Sequence, residues 1–191
     1  TVMMGNKRLF EIMQRKEELY CKPDFNDEDG MELADLEGEF AEMDGWNAET
    51  DAAILLNGLG VATELHEKLV KDLKEEDKVK VLLAQALFGN PDVLLLDEPT
   101  NGLDLPAVEW LEEFLKSYRH AFLVISHDRY FLDRVTTKTF DLDNCRFYSF
   151  NGNYTEYQKQ KDINRLTEER RYENTKKEIE IKEKKIEAIP Y

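Results

Sequence analysis

The chain has 191 residues, 41% of them hydrophobic, with a formal net charge of −15 and a pI near 4.7. That length fits one domain with a modest core plus an appendage, and the acidity excludes a surface that grips nucleic acid over its whole extent. No apolar run approaches the roughly 18–20 residues that span a bilayer, so no membrane role is expected. Acidity of this kind keeps a protein soluble. Cys21 and Cys145 stand in neither C-x-x-C nor metal spacing and read as free thiols of a reducing, cytoplasmic compartment. The opening residues TVMMGNKRLFEIM lack the charged-then-apolar order of a signal peptide and read as lying inside a domain.

Residues 1–73 form a helical, acidic segment. Leu9, Phe10, Ile12, Met13, Leu19 and Tyr20 recur at helical spacing until CKPDFNDEDG breaks the pattern. Asn26 or Asp27 caps a second helix through Leu33, Leu36, Phe40 and Met43, and Gly45 ends it. The pattern predicts two antiparallel helices joined by an acidic turn, with Met13 and Met43 facing the core. AETDAAILLNGLG and a short helix over ELHEKLV follow.

Residues 74–153 alternate helix and strand. Helices are expected over 77–88 and 106–118, and strands over 93–96 and 121–125. Both strands are continuous apolar runs, as expected of parallel strands covered on both faces. Pro106 suits a first helical turn with Asp104 as its cap. Residues 139–143 and 146–150 read as an antiparallel pair turning at DNC.

Residues 154–191 form a long charged helix that Pro190 stops. Over positions 157–191 ten Lys or Arg stand against eight acids, slightly basic beside an acidic body. Tyr172, Ile179 and Ile186, seven apart, make a thin apolar seam suited to one antiparallel partner helix. A solvated charged helix is the plainer alternative.

The chemistry lies where the apolar runs end. VLLLDEPTNGLD, Val93 to Asp104, delivers adjacent carboxylates at the end of a strand. Asp97 is placed to act on magnesium through its waters, and alternation turns Glu98 toward an attacking water as general base. In AFLVISHDRYFLD, Ala121 to Asp133, His127 follows the second strand and can reach a terminal phosphate or the same water. His66 and His120 lack such a setting and read as surface residues. The chain contains no G-x-x-x-x-G-K-[ST] loop to cradle phosphates.

These motifs resemble the Walker B, D-loop and H-loop of an ATP-binding cassette. VKVLLAQALFGNPDVLLLDEPTNGLD, with Thr100 and Asn101 leading the D-loop, FNGNYTEYQKQK and the charged helix after it, is similar to the ABC-F family. The fold implied is α/β: the second half of a P-loop NTPase core with a helical subdomain and a linker helix. Its parts are a helical subdomain with a short arm-like hairpin (1–73), the half-core (74–153) and the interdomain linker (154–191). By resemblance Asp97 is the Walker B aspartate on Mg2+, Glu98 the catalytic glutamate, Asn101 to Asp104 the D-loop and His127 the switch histidine, with ATP as cofactor. Implied partners are a second cassette of the same polypeptide, the ribosome and tRNA.

The signature sequence departs from the family. Where LSGGE and a basic residue are usual, this chain has Leu73-Lys74-Glu75-Glu76-Asp77-Lys78. Small residues there present backbone N–H groups to the phosphate held by the opposite cassette. A carboxylate about 4 Å from phosphate, at an effective dielectric of ~20, costs on the order of 4 kcal/mol before screening. A weakened signature contribution is therefore expected from Glu75 and Glu76. Gly102 also replaces the histidine common in the D-loop.

Other readings stay open. One is the cytosolic ATPase subunit of a membrane transporter, disfavoured by the long helix after the H-loop. A chromosome or repair ATPase would carry its coiled coil between the halves of one cassette. The chain by itself reads as an inactive half-domain, with exposed sheet edges that suit dimerisation.

Overall fold

The computed structural model describes residues 1–143 and 145–187, which gather into two units, Thr1–Asp128 and Arg129–Tyr191. The first unit opens with a 3-10 turn, Val2–Gly5, and helix α1, Lys7–Tyr20. Leu9, Ile12, Lys16 and Leu19 line its buried face, at the 3–4 spacing of an amphipathic helix. Helix α2, Asp27–Glu42, packs on α1 after a closed capping box. The Asn26 side chain accepts from the Asp29 N–H at 2.9 Å and the Asp29 carboxylate from the Asn26 N–H at 3.0 Å. The helical hairpin expected from the sequence is present. Its end differs: α2 stops at Glu42, and Asp44, not Gly45, takes the left-handed conformation at φ 55°.

Charge knits the hairpin together. Arg8 grips Glu39 through two hydrogen bonds of 2.6 and 2.5 Å, and Arg15 holds Glu32 at 2.7 and 3.0 Å. Lys16, itself buried, reaches Glu37 at 2.9 Å and lies 3.9 Å from the centre of the Phe40 ring. Met13 and Met43 are half-buried.

Helix α3, Ala48–Gly58, packs against both α4, Glu75–Leu87, and α5, Leu105–Ser117. The helix expected over ELHEKLV is absent. Separate 3-10 turns at Thr63–Leu65 and Val70–Asp72 take its place. Strands β1, Val93–Asp97, and β2, Ala121–Ile125, pair in parallel with Val93 opposite Ala121 and Asp97 opposite Ile125.

The expectation that both strands are covered on both faces is overturned. Leu94 and Leu96 are buried, whereas Val93, Leu95, Leu123 and Ile125 are exposed. With two strands only, one apolar face of this sheet stays open to solvent.

In the second unit helix α6, Arg129–Val135, precedes an antiparallel pair, β3, Lys138–Asp143, and β4, Arg146–Asn151. Helix α7, Tyr154–Glu187, follows with 34 residues. The seam positions Tyr172 and Ile179 are exposed; Ile186 lies outside the residues whose side chains are described, and Pro190 outside the described residues.

Candidate functional site

The site gathers at the carboxyl ends of β1 and β2, where parallel strands release the chain into loops. Asp97 closes β1 with an exposed side chain that makes no hydrogen bond or ion pair among the described residues. Glu98 follows with φ 47°, left-handed for a residue with a side chain. Such a conformation costs on the order of 1 kcal/mol or more and persists where its surroundings impose it. Here they do. The Glu98 N–H donates to the Ile125 carbonyl at 2.7 Å, and its carbonyl accepts from the Asn101 N–H at 3.1 Å.

The Glu98 carboxylate faces the loop after β2. Ser126 Oγ donates to Oε2 at 3.3 Å and the His127 N–H to the same oxygen at 3.3 Å. His127 Nε2 stands 3.6 Å from Oε1, with the imidazole fully exposed. Twenty-eight residues separate Ser126 from Glu98, so no local pattern announces the contact. Nothing in the sequence around His127 marks Ser126 for this role. Its Oγ also accepts from the Asp128 N–H at 3.1 Å, so one hydroxyl shapes the histidine loop and holds the carboxylate.

The D-loop residues occupy the turn from β1 to α5. Asn101 is exposed, and Asp104 caps α5 by accepting from the Ala107 N–H at 3.1 Å, with Pro106 in the first turn. Gly102 sits at φ 76°, with no atom near enough to crowd a side chain. The backbone conformation, not space, therefore favours glycine there.

The signature region lies at the start of α4. Leu73 is buried, Lys74 is the N-cap residue without a side-chain cap bond, and Glu75 and Glu76 are exposed in the first turn. Glu75 pairs with Lys78 at 2.6 Å. Carboxylates in a first turn complement the positive end of the helix. No hydrogen bond or ion pair joins Leu73, Lys74, Glu75 or Glu76 to Asp97, Glu98 or His127 among the described residues. One turn further along, the buried Lys80 approaches the D-loop. A side chain at Gly60 would stand 3.4 Å from Lys80 Nζ and 3.7 Å from both carboxylate oxygens of Asp104. Gly60 thus marks where α4 and the D-loop converge, a relation invisible in the sequence.

His120 is exposed, 3.7 Å from Asp92. His66 differs from its expected surface position. It is half-buried, with Nε2 3.2 Å from the Val61 carbonyl, because the chain folds back in 3-10 turns there. Among the described residues no three His, Cys, Asp or Glu side chains gather into a metal cage. A lone free carboxylate at Asp97 fits magnesium, which keeps several waters and takes one or two protein ligands. No described helix is long and apolar enough to cross a membrane.

Comparison with known proteins shows what the chain is similar to. Residues 140–191 match the family model described as "ABC transporter". The chain is 55% identical over 183 residues to the "uncharacterized ABC transporter ATP-binding protein YkpA" of Bacillus subtilis, covering 95% of this chain and 33% of that protein. It is 46% identical to the "probable ATP-binding protein YbiT" of Escherichia coli O157:H7, over 82% of this chain and 30% of that one. With the "probable ATP-binding protein YheS" of Escherichia coli K12 the identity is 38%, over 79% and 24%. The chain spans about a third of the length of these relatives or less. On the strength of these matches the chain belongs to the ATP-binding cassette proteins, of the ABC-F type.

Proposed function

We propose that this chain supplies the hydrolytic half of a cassette that splits ATP, in a cytoplasmic protein whose two cassettes act on the ribosome. The observation that carries the hydrolytic reading is the Glu98 carboxylate, held by the Ser126 hydroxyl and the His127 N–H at the open end of β1. A carboxylate so fixed can orient a water and take its proton, while the exposed imidazole of His127 bonds the phosphate oxygen or the same water. Asp97 would hold Mg2+ through its waters. When bound, the ion would supply positive charge that offsets the phosphate charge. Asn101, Asp104 and the signature residues Leu73 to Glu76 would face the nucleotide and the second cassette.

The chain by itself would not turn over ATP. It has no phosphate-cradling loop, and positioning of the phosphates dominates this chemistry. The ribosomal assignment rests on the 34-residue helix α7, which follows the histidine loop and the β3–β4 pair and resembles the family's linker. Its exposed Tyr172 and Ile179 await a partner helix and would carry the linker toward tRNA.

Cosedimentation of the full-length Glu98→Gln protein with purified ribosomes tests this reading. ATP-dependent pelleting supports it. Absence of pelleting with ATP, alongside retained ATP binding, refutes the ribosomal part and leaves the transporter-subunit alternative.

A further inference from the structure

Helix α7 is tied at its base by two carboxylates from two different elements. Asp133, on α6, accepts from the Thr155 N–H at 2.6 Å through Oδ1 and from the Thr155 hydroxyl through Oδ2. The Asp133 carbonyl also accepts from Asn153 Nδ2 at 3.4 Å. Asn153 and Glu156 close a capping box beside it: the Glu156 N–H donates to Asn153 Oδ1 at 3.1 Å, and the Asn153 N–H to Glu156 Oε2 at 3.0 Å. A side chain at Gly152 would collide with that glutamate. One turn later the β3 residue Asp141 accepts from Tyr157 OH and from Lys161 Nζ, each at 2.8 Å.

We infer that Asp133 is the joint through which α6 sets the direction of α7, and that Asp141 ties β3 to the same helix by a separate joint. The first joint satisfies one orphan N–H at the helix start, that of Thr155, with a side chain from outside the helix, so α6 and the first turn of α7 move as one piece. A long helix amplifies small rotations at its base: at 1.5 Å per residue, 34 residues extend about 50 Å. Helix α6 begins two residues after His127. Within this unit Asp133 makes α6 the element that fixes the base of the linker helix. Thr155 is the receiving residue.

The test uses this chain with Cys21→Ser and Cys145→Ser, both native cysteines being exposed, and nitroxide pairs read by pulsed dipolar spectroscopy. One pair, at Tyr130 and Asn164, reports α6 against α7. The other, at Ser149 and Asn164, reports the β3–β4 pair against α7. All three positions are exposed. Asp133→Ala is expected to abolish the narrow distance peak of the first pair and to spare the second. Asp141→Ala is expected to do the reverse. Asp133→Asn should keep the first peak narrow, since its amide still offers an acceptor to the Thr155 N–H and a donor to the hydroxyl. General loosening of the unit would broaden both pairs together, which overturns the inference. So does an unchanged first pair in Asp133→Ala, or an Asn variant as broad as the Ala one. None of these readings involves nucleotide, so failure of the joint is separable from failure of the ATPase reading, which the Glu98 variant decides.

Discussion

Glu98 and His127 meet across the ends of two parallel strands, with Nε2 of the histidine 3.6 Å from one carboxylate oxygen and its main-chain N–H 3.3 Å from the other. The two contacts differ in what substitution removes. His127→Ala deletes the imidazole but keeps the N–H, so Glu98 stays oriented while the phosphate contact is lost. A fall in kcat of about 10²-fold or more is expected for the full-length protein. Ser126→Ala removes a hydroxyl whose hydrogen bond is worth about 1 kcal/mol, a roughly five-fold effect. Steady-state kinetics rank the two; a serine variant as damaged as the histidine variant would contradict the assignment.

The signature carboxylates are oriented to cost less than their charge suggests. The side chain of Glu75 is 88% exposed and paired with Lys78, so solvent screening brings its effect toward the ~1 kcal/mol of a surface charge pair. Glu75→Gly with Glu76→Gly should therefore raise ATP affinity or turnover of the full-length protein by about five-fold at most. Unchanged affinity and turnover would remove these residues from the composite site.

Gly58, at the end of α3, lies flat against the Trp110 indole of α5, which stacks on Phe114. Gly58→Ala drives a methyl group into that ring. Better helix propensity returns at most about 1 kcal/mol, while overpacking costs about 1–3 kcal/mol. A net loss on the order of 1–2 kcal/mol is predicted, read from denaturant unfolding.

The helical hairpin should weaken in acid. Hydrogen bonds from Arg15, from Tyr20 and then Lys16, and from Arg8 hold the Glu32, Glu37 and Glu39 carboxyls below their ordinary range. Lowered folded values mean that the unfolded state binds more protons in this window. The stabilisation is complete above the ordinary carboxylate range and is lost as pH falls through the lowered folded values. Helical circular dichroism followed down the acid limb checks this. Glu32→Gln, Glu37→Gln and Glu39→Gln together should flatten the loss, and an unaltered acid limb would refute it.

Much of the architecture was legible because its signals are local. Asn26 caps α2, Asp104 caps α5, and the apolar runs at Val93 and Ala121 become strands paired in register. Helix α6 was missed, since the seven residues RYFLDRV are too few to show a helical period. The carboxylate and histidine stood out by type and position, whereas Ser126, Lys80 and Gly60 act through contacts between residues distant in sequence. The open face of β1 and β2 was illegible for another reason: a continuous apolar run does not say which of a strand's two faces is covered.

Single-turnover hydrolysis of ATP by the full-length protein, wild type against Glu98→Gln, tests the central claim most directly. The account predicts a loss of about 10²–10⁴-fold with ATP still bound, and no hydrolysis by the 191-residue chain alone. Hydrolysis by Glu98→Gln at the wild-type rate would contradict it.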